Sequence, residues 1–391
     1  PAPRLDMREK VDGTAEFGAD IRRPGQRYAA ALACPVLGGS VAAVDDTVAR
    51  AMPGVVDVLV FDTWVAVVAE KWWTAKTALK ALSVTWDEGE NAGLTSAEID
   101  RRLSEALHEE RPYTGRREGK ALDRIDEADD VLEVVYAVPY LDHAPMEPMN
   151  CTVHLQADRI DVWTGTQAQT RCRRRIHQYT GLSEDQIHIH TTLLGGGFGR
   201  RGNIDIVEQA VKIAMRVEGP VQLLWSREET FRHGFYRPAA QARMRATVRD
   251  GAVEAVHIQV ASDNILHRYL PKMMHNIGMV AAFPLEGFLD SSPYVFENIQ
   301  ADWAAVDLPV PIGFWRSVGH SYSAYFMECF LDDIATKLGQ DPVDLRRSLL
   351  GDHAPRFRRV LDTAVEAAGW GSPPEGRFQG VALHESFGSI C

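Results

Sequence analysis

The chain has 391 residues, 45% of them hydrophobic and 25% charged, the balance of an ordinary globular protein. Its 54 acidic against 42 basic side chains give a formal charge of -12, which argues against nucleic acid or an anionic membrane as partner. Five scattered cysteines without a Cys-x-x-Cys pair exclude a sequence-encoded zinc cluster or iron–sulfur centre, and the odd number argues against a disulfide framework.

In chain order, strand-like runs at Tyr28 to Cys34, Val55 to Phe61 and Trp64 to Ala69 precede a helix at Trp72 to Ala81 and a strand at Leu82 to Trp86. Residues 1–90 thus read as a small α/β module. Residues 91–130 turn polar and charged and predict a connector with one helix, opened by the Thr95-Ser-Ala-Glu98 capping box and followed by an Arg- and Glu-rich run from Glu110 to Lys120. From Val131 strands resume at Val131 to Val138, Cys151 to Gln156 and Arg159 to Thr164, then a helix at Gln169 to Tyr179 and a strand at Ile187 to Leu194. A helix from about Ile204 to Met215 places Ile204, Val207, Val211, Ala214 and Met215 on one face. Strands at Val221 to Trp225, Gln241 to Val248 and Val253 to Ser262 follow, then helices at Ser323 to Leu338, from Pro342, and at Arg356 to Ala368. The most apolar stretch, Val55 to Val68, is interrupted by Asp57 and Asp62 and is too short to cross a bilayer. The chain stops at Cys391 in what reads as a strand in mid-course, which predicts a piece of something longer; no leader is read in it, so periplasm and cytoplasm both stay open.

The most informative run is Leu194-Gly-Gly-Gly-Phe-Gly-Arg-Arg201. Lying between a strand and a helix, its Cβ-free backbone can approach a flat or anionic ligand. Neither the Walker nor the dinucleotide glycine pattern fits it. Two further junctions have the same strand-to-helix setting. Gln167, in Thr164-Gly-Thr-Gln167, can donate through its side-chain amide, or it caps the following helix. Arg316, in Trp315-Arg-Ser-Val-Gly-His320, can hold an anion, or it pairs with a surface carboxylate. His143 and Glu147 stand four apart, but the intervening prolines forbid the helix that would join them as metal ligands, so a structural loop is the better reading. The four arginines within Arg171 to Arg175 read as a solvated or interface-facing helix. The turn from His233 to Pro238 either lines a pocket or is simply packed.

In this order the motifs resemble the molybdopterin-binding large subunits of the xanthine dehydrogenase and aldehyde oxidase family. The Arg-Arg ending of the glycine run is most like the group typified by the beta subunit of isoquinoline 1-oxidoreductase. The Lys10-Val-Asp-Gly-Thr-Ala-Glu-Phe-Gly-Ala-Asp20 start, with Ala42-Ala-Val-Asp45 and Pro53-Gly-Val-Val56, resembles that family's α/β hammerhead domain. The resemblance implies an α+β fold. Its parts are a hammerhead domain at 1–90, a charged helical connector at 91–130, and a molybdopterin-binding domain of mixed sheets and helices at 131–391 that lacks its C-terminal end. It further implies a molybdopterin cytosine dinucleotide carrying molybdenum, with the metal held by the pterin and by no protein side chain. Gln167 would meet an oxo ligand of the metal, Gly195, Gly196, Gly197 and Gly199 would line the cofactor, Phe198 would face the substrate, and Arg316 would sit in a second cofactor loop.

The implied activity is oxidation of an N-heteroaromatic or aldehyde substrate with water as oxygen source. Electrons would pass to a small [2Fe–2S] subunit, with a cytochrome c as a further possible acceptor. Two departures stand out. Family xanthine dehydrogenases carry a glutamate four positions after the Phe of the glycine motif, where this chain has Gly202. The family's general base, a glutamate in a Gly-Glu motif, is expected beyond Cys391, so no catalytic residue is assigned within the chain, which alone should be inactive. The competing reading is a non-catalytic binding or scaffold subunit that keeps the fold.

Overall fold

The computed structural model describes residues 3–109, 111–289 and 292–391, which divide into two compact units. The first comprises residues 1–94, 142–236 and 309–314, and the second residues 95–141, 237–308 and 315–391. Neither is continuous in sequence, because strands from distant segments complete each sheet.

The first unit is built on a seven-stranded sheet. Its order is Ile187–Thr191, Ile160–Thr164, Asn150–Leu155, Val221–Leu224, Arg27–Ala33, Trp64–Ala69 and Val55–Val60. Every residue of Trp64–Ala69 is buried, as its unbroken apolar run requires of a strand covered on both faces. The Asp205–Ala214 helix packs on Asn150–Leu155 with Ile206, Val207, Ala210, Val211 and Ile213 buried. The helical spacing had placed Met215 on that face, but it lies past the helix end and is exposed. A separate two-stranded ribbon pairs Ser40–Asp45 with Ser83–Asp87.

The second unit has a five-stranded sheet in the order Tyr113–Glu118, Ile299–Ala305, Ala252–Ser262, Ala240–Arg249 and Leu132–Val138. The His320–Leu338 helix covers it with Tyr322, Phe326, Phe330 and Ile334, and ends at Gly339 in the left-handed conformation. Arg346, fully buried, donates through Nε to Glu328 Oε2 at 2.8 Å, while Tyr294 and the Leu383 amide donate to the same carboxylate.

The local signals hold where the chemistry is local. Thr95 accepts from the Glu98 amide, and Asp341 accepts from Val343 and Asp344 ahead of Pro342. Two expectations need correction. The charged run from Glu110, itself outside the described residues, is no plain connector, since Tyr113–Glu118 is an edge strand and Ala121–Asp126 a helix. An edge strand tolerates Arg and Glu because one side faces water. The chain end is not one long strand but a short hairpin, Glu385–Ser386 against Ser389–Ile390. Cys34, Cys151 and Cys172 are buried, Cys329 is half-buried and Cys391 exposed; all five are free. Among the described residues no helix is long and apolar enough to cross a membrane.

Candidate functional site

Ile187–Thr191 runs parallel to Ile160–Thr164, with Thr191 level with Thr164. Parallel neighbours finish at the same end of a sheet, so the glycine run and Gln167 emerge side by side although 28 positions separate Gln167 from Gly195. The strand stops at Thr191, earlier than the sequence pattern indicates, and a 3-10 turn at Arg200–Gly202 separates the loop from the Asp205–Ala214 helix.

Gln167 does not cap its helix. The Gln169–Thr180 helix begins after Ala168 without a side-chain cap, and Gln167 Oε1 instead accepts from the Gly199 amide at 3.3 Å. Its backbone N–H donates to the Arg201 carbonyl at 2.9 Å. With the side-chain oxygen used by the loop and the side chain exposed, Nε2 is left to donate outward.

The glycines are required by contact. A Cβ on Gly195 would stand 2.3 Å from Glu147 Cβ, and one on Gly197 would stand 2.9 Å from Gln167 Oε1. At Gly199 φ is +106° and a Cβ would fall 1.7 Å from the Phe314 carbonyl oxygen, so no other residue fits without moving the loop. Phe198, at φ 54° and 44% exposed, is the one large apolar side chain the run presents to solvent. At Gly202, by contrast, an added Cβ meets nothing within 4 Å.

Two residues that sequence reasoning left outside the site hold it together. Glu147 Oε2 accepts from Gly195 N and from Arg201 Nη2, both at 2.9 Å, and Oε1 accepts from Ala19 N at 3.0 Å and Asn150 Nδ2 at 2.9 Å. Arg201, with no exposed side chain, also donates through Nε to the Gly196 carbonyl and through Nη1 to the Gly165 carbonyl. One buried ion pair therefore ties together the segments carrying Ala19, Glu147, Gln167 and the glycine run. Burial and the neighbouring Arg200 lower the proton affinity of Arg201, and Glu147 opposes them. Arg200 is itself buried, bidentate to Asp205 at 2.8 and 2.7 Å, with its guanidinium over the Trp225 and Phe235 rings. Phe235 of the aromatic turn is thus packed against an arginine. The only sequence signal for Glu147 is a carboxylate in a loop of prolines and methionines, where a buried partner must exist.

His143, 5% exposed, sets its Nε2 2.9 Å from the Phe314 carbonyl. A carbonyl only accepts, so Nε2 carries the proton and Nδ1 is a buried acceptor without a hydrogen-bond partner among the described residues. Burial lowers its proton affinity and keeps the ring neutral. Among the described residues no group of three or more His, Cys, Asp or Glu side chains, His143 and Glu147 included, is placed to hold a metal ion. In the Arg171 to Arg175 cluster all four arginines are exposed, Arg175 donating to Glu208 and Arg171 to the Gly202 carbonyl.

Arg316 belongs to the second unit, and Gln167 and the glycine run to the first. It is exposed and makes no hydrogen bond or ion pair among the described residues. Its turn contains Ser317 at φ 70° and Val318 at φ 49°, strained for a β-branched residue. The Gly319 amide donates to Glu286 Oε2 at 2.9 Å, and Glu286 Oε1 lies 3.7 Å from His320 Nε2. His320 Nδ1 is 2.9 Å from His384 Nε2. Burial, with His320 beside it, lowers His384 to about 4.

Residues 107–350 match the family described as the molybdopterin cofactor-binding domain. The beta subunit of isoquinoline 1-oxidoreductase from Brevundimonas diminuta is 28% identical over 94% of this chain and 48% of its own length. A nicotinate dehydrogenase subunit from Pseudomonas putida is 25% identical over 94% of this chain and 32% of its own. The chain spans about half the length of the first of these and a third of the second. Among solved structures, quinoline 2-oxidoreductase from Pseudomonas putida 86 superposes with a TM-score of 0.73 at 17% identity, covering 94% of this chain and 54% of that one. Aldehyde oxidoreductase from Desulfovibrio gigas gives 0.72 at 20% identity, covering 95% and 47%. These two share the fold.

Proposed function

The chain belongs to the molybdopterin cofactor-binding domain family, and from that premise we propose that it is the cofactor-cradling part of a molybdenum hydroxylase large subunit. The observation that carries the proposal is the set of Cβ-free positions Gly195, Gly196, Gly197 and Gly199, with Gln167 bonded to the Gly199 amide. Such a surface fits a flat, polar cofactor laid against backbone, with Gln167 Nε2 as donor at its edge. The same proposal includes a cytosine dinucleotide form of the pterin, Phe198 facing the substrate, Arg316 in a second cofactor loop, and residues 1–90 as a hammerhead domain.

When bound, the molybdenum cofactor supplies the oxidation of an electron-poor carbon with water as oxygen source. This chain's residues position and shield. The Glu147–Arg201 pair fixes the loop before any ligand arrives, so little ordering is left to occur on binding. Phe198 offers an apolar face to an N-heteroaromatic or aldehyde substrate, and Gly202 provides no carboxylate to recognise a purine. The proton-accepting carboxylate lies in the proposal outside this chain, and electrons leave to a [2Fe–2S] subunit and from there to an acceptor such as a cytochrome c.

The test is Gln167→Ala in the complete complex. Turnover should fall at least about tenfold while the unfolding free energy changes by less than about 0.5 kcal/mol, because the side chain is exposed. Equal losses of turnover and stability would mark Gln167 as structural only. A purified complex containing neither molybdenum nor a pterin nucleotide would favour the scaffold reading.

A further inference from the structure

The first unit contains a cavity of about 300 Å³ away from the glycine run in sequence, lined by Ala30 to Leu32 of the Arg27–Ala33 strand, by Trp72, Lys76, Leu79 and Lys80, and by the Arg227–Arg232 helix. Its floor and one wall are apolar. Lys76, half-buried, lies with Nζ 5.2 Å from the Trp72 ring centre, so its stem and the indole form a surface with a charge at the rim. Lys80 stands one turn further along, and Arg232 faces in from the other helix. Against these three cations the lining has the exposed Glu228, 4.0 Å from Lys76, and the buried Glu229. In a chain of net charge -12, a locally cationic apolar hollow is selective by sign.

We propose that this cavity is a binding site for an apolar monocarboxylate, its tail against Trp72 and Leu79, its head between Lys76 and Lys80, and the carboxylic acid of Glu229 donating a hydrogen bond to it. Glu229 is 3% exposed, and its Oε1 accepts from the Ala33 amide at 2.8 Å. Burial raises its proton affinity to about 7, only partly offset by that amide and by Arg232. The charged and titratable groups nearest it are Arg232 and His233 on its own side, while Lys76 and Lys80 from the Trp72 helix and its end line the same cavity and act on the neighbouring Glu228. The His233 Nε2 is 3.6 Å from Oε1, and burial holds His233 neutral down to about 4. The Ala30 to Leu32 segment adds no titratable side chain. A protonated carboxyl beside cations can therefore share its proton with an incoming carboxylate, while an ionised one would repel it.

The experiment titrates the purified protein with hexanoate and with hexan-1-ol by calorimetry at pH 6.0 and 8.5. Saturable one-to-one binding of hexanoate, at least about tenfold tighter than the alcohol, is expected at pH 6.0. Lys76→Ala with Lys80→Ala should weaken it about tenfold with little effect on folding, Lys80 being exposed and Lys76 half-buried with its charge at the rim. Raising the pH to 8.5 should cost about tenfold in affinity, a loss that Glu229→Gln, which keeps the acceptor for Ala33, should abolish. Equal binding of the alcohol, indifference to the lysine substitutions, or loss of binding in Gln167→Ala would each overturn the proposal, the last by moving the ligand to the glycine run.

Discussion

The two cofactor-loop candidates solve one problem with different chemistry. In each, a carboxylate from a distant segment takes the amide of a glycine in the loop ahead of a helix: Glu147 takes Gly195, and Glu286 takes Gly319, both at 2.9 Å. The first carboxylate is completed by Arg201, whose charge persists at any physiological pH, and the left-handed backbone positions of its loop are mostly glycine. The second is completed at 3.7 Å by His320, backed by His384, and its left-handed positions fall on Ser317 and Val318. The first loop is thus permanently paired and puts only Phe198 of its left-handed positions on a non-glycine residue; the second puts both of its left-handed positions on non-glycine residues, at a cost of about 1–3 kcal/mol for each such residue. A cradle that must not move is built the first way, and a loop that adjusts can be built the second.

The largest effect should come from breaking the permanent pair. Arg201→Ala leaves Glu147 buried without its cation and should lower stability by about 3–5 kcal/mol, read from denaturant unfolding. A change under about 1 kcal/mol would mean that the pair does not organise the loop. Next, Gly199→Ala places a methyl 1.7 Å from the Phe314 oxygen and should cost about 3 kcal/mol. Gly319→Ala meets Glu286 Cβ at 2.8 Å, has no left-handed φ, and should cost about 1 kcal/mol. If the two costs were equal, the contrast between a rigid and a yielding loop would fail.

The pH comparison is smaller. The folded His384 titrates at about 4 and the unfolded one near 6.5, so its contribution to stability is present above 6.5 and is lost as pH falls towards 4. Hydrogen exchange at the Gly319 amide, corrected for intrinsic rate, should lose protection as pH falls from 6.5 to about 4, and His384→Gln should remove that dependence. The Gly195 amide should stay protected over the same range. His143 adds an acid-sensitive contact at Phe314, beside Gly199, which makes Gly195 the position to read. Smallest of all, Gly202→Ala should change stability by less than about 0.5 kcal/mol, since its methyl enters open space. A larger loss would show that this glycine serves the turn itself.

Much of this was legible in the sequence because it depends on near neighbours. The Thr95 and Asp341 caps, the buried Trp64–Ala69 run and the glycine run itself are set by spacing and by the chemistry of a few adjacent residues. Three strands were not, the short Ser40–Asp45 of the two-stranded ribbon among them. Tyr113–Glu118 hides in a charged run because it is an edge strand, and Ile299–Ala305, parallel to Ala252–Ser262, carries Gln300 and Asp302 inside an otherwise apolar strand. Asp302 is tolerated there because His257 and Gln300 hydrogen-bond to it, a compensation no local pattern displays.

The sequence alone determined most of the strands and helices, the glycines of Gly195–Gly199, and the place of Gln167 between a strand and a helix and of Arg316 ahead of a helix, since periodicity and the missing Cβ are properties of consecutive residues. Only the tertiary structure decided what those junctions are fastened to. Parallel pairing of Ile160–Thr164 with Ile187–Thr191 brings Gln167 onto the glycine run, and Glu147, 48 positions before Gly195, becomes its anchor. A buried carboxylate must find donors wherever the fold brings them, and that choice is made by burial and pairing across the chain.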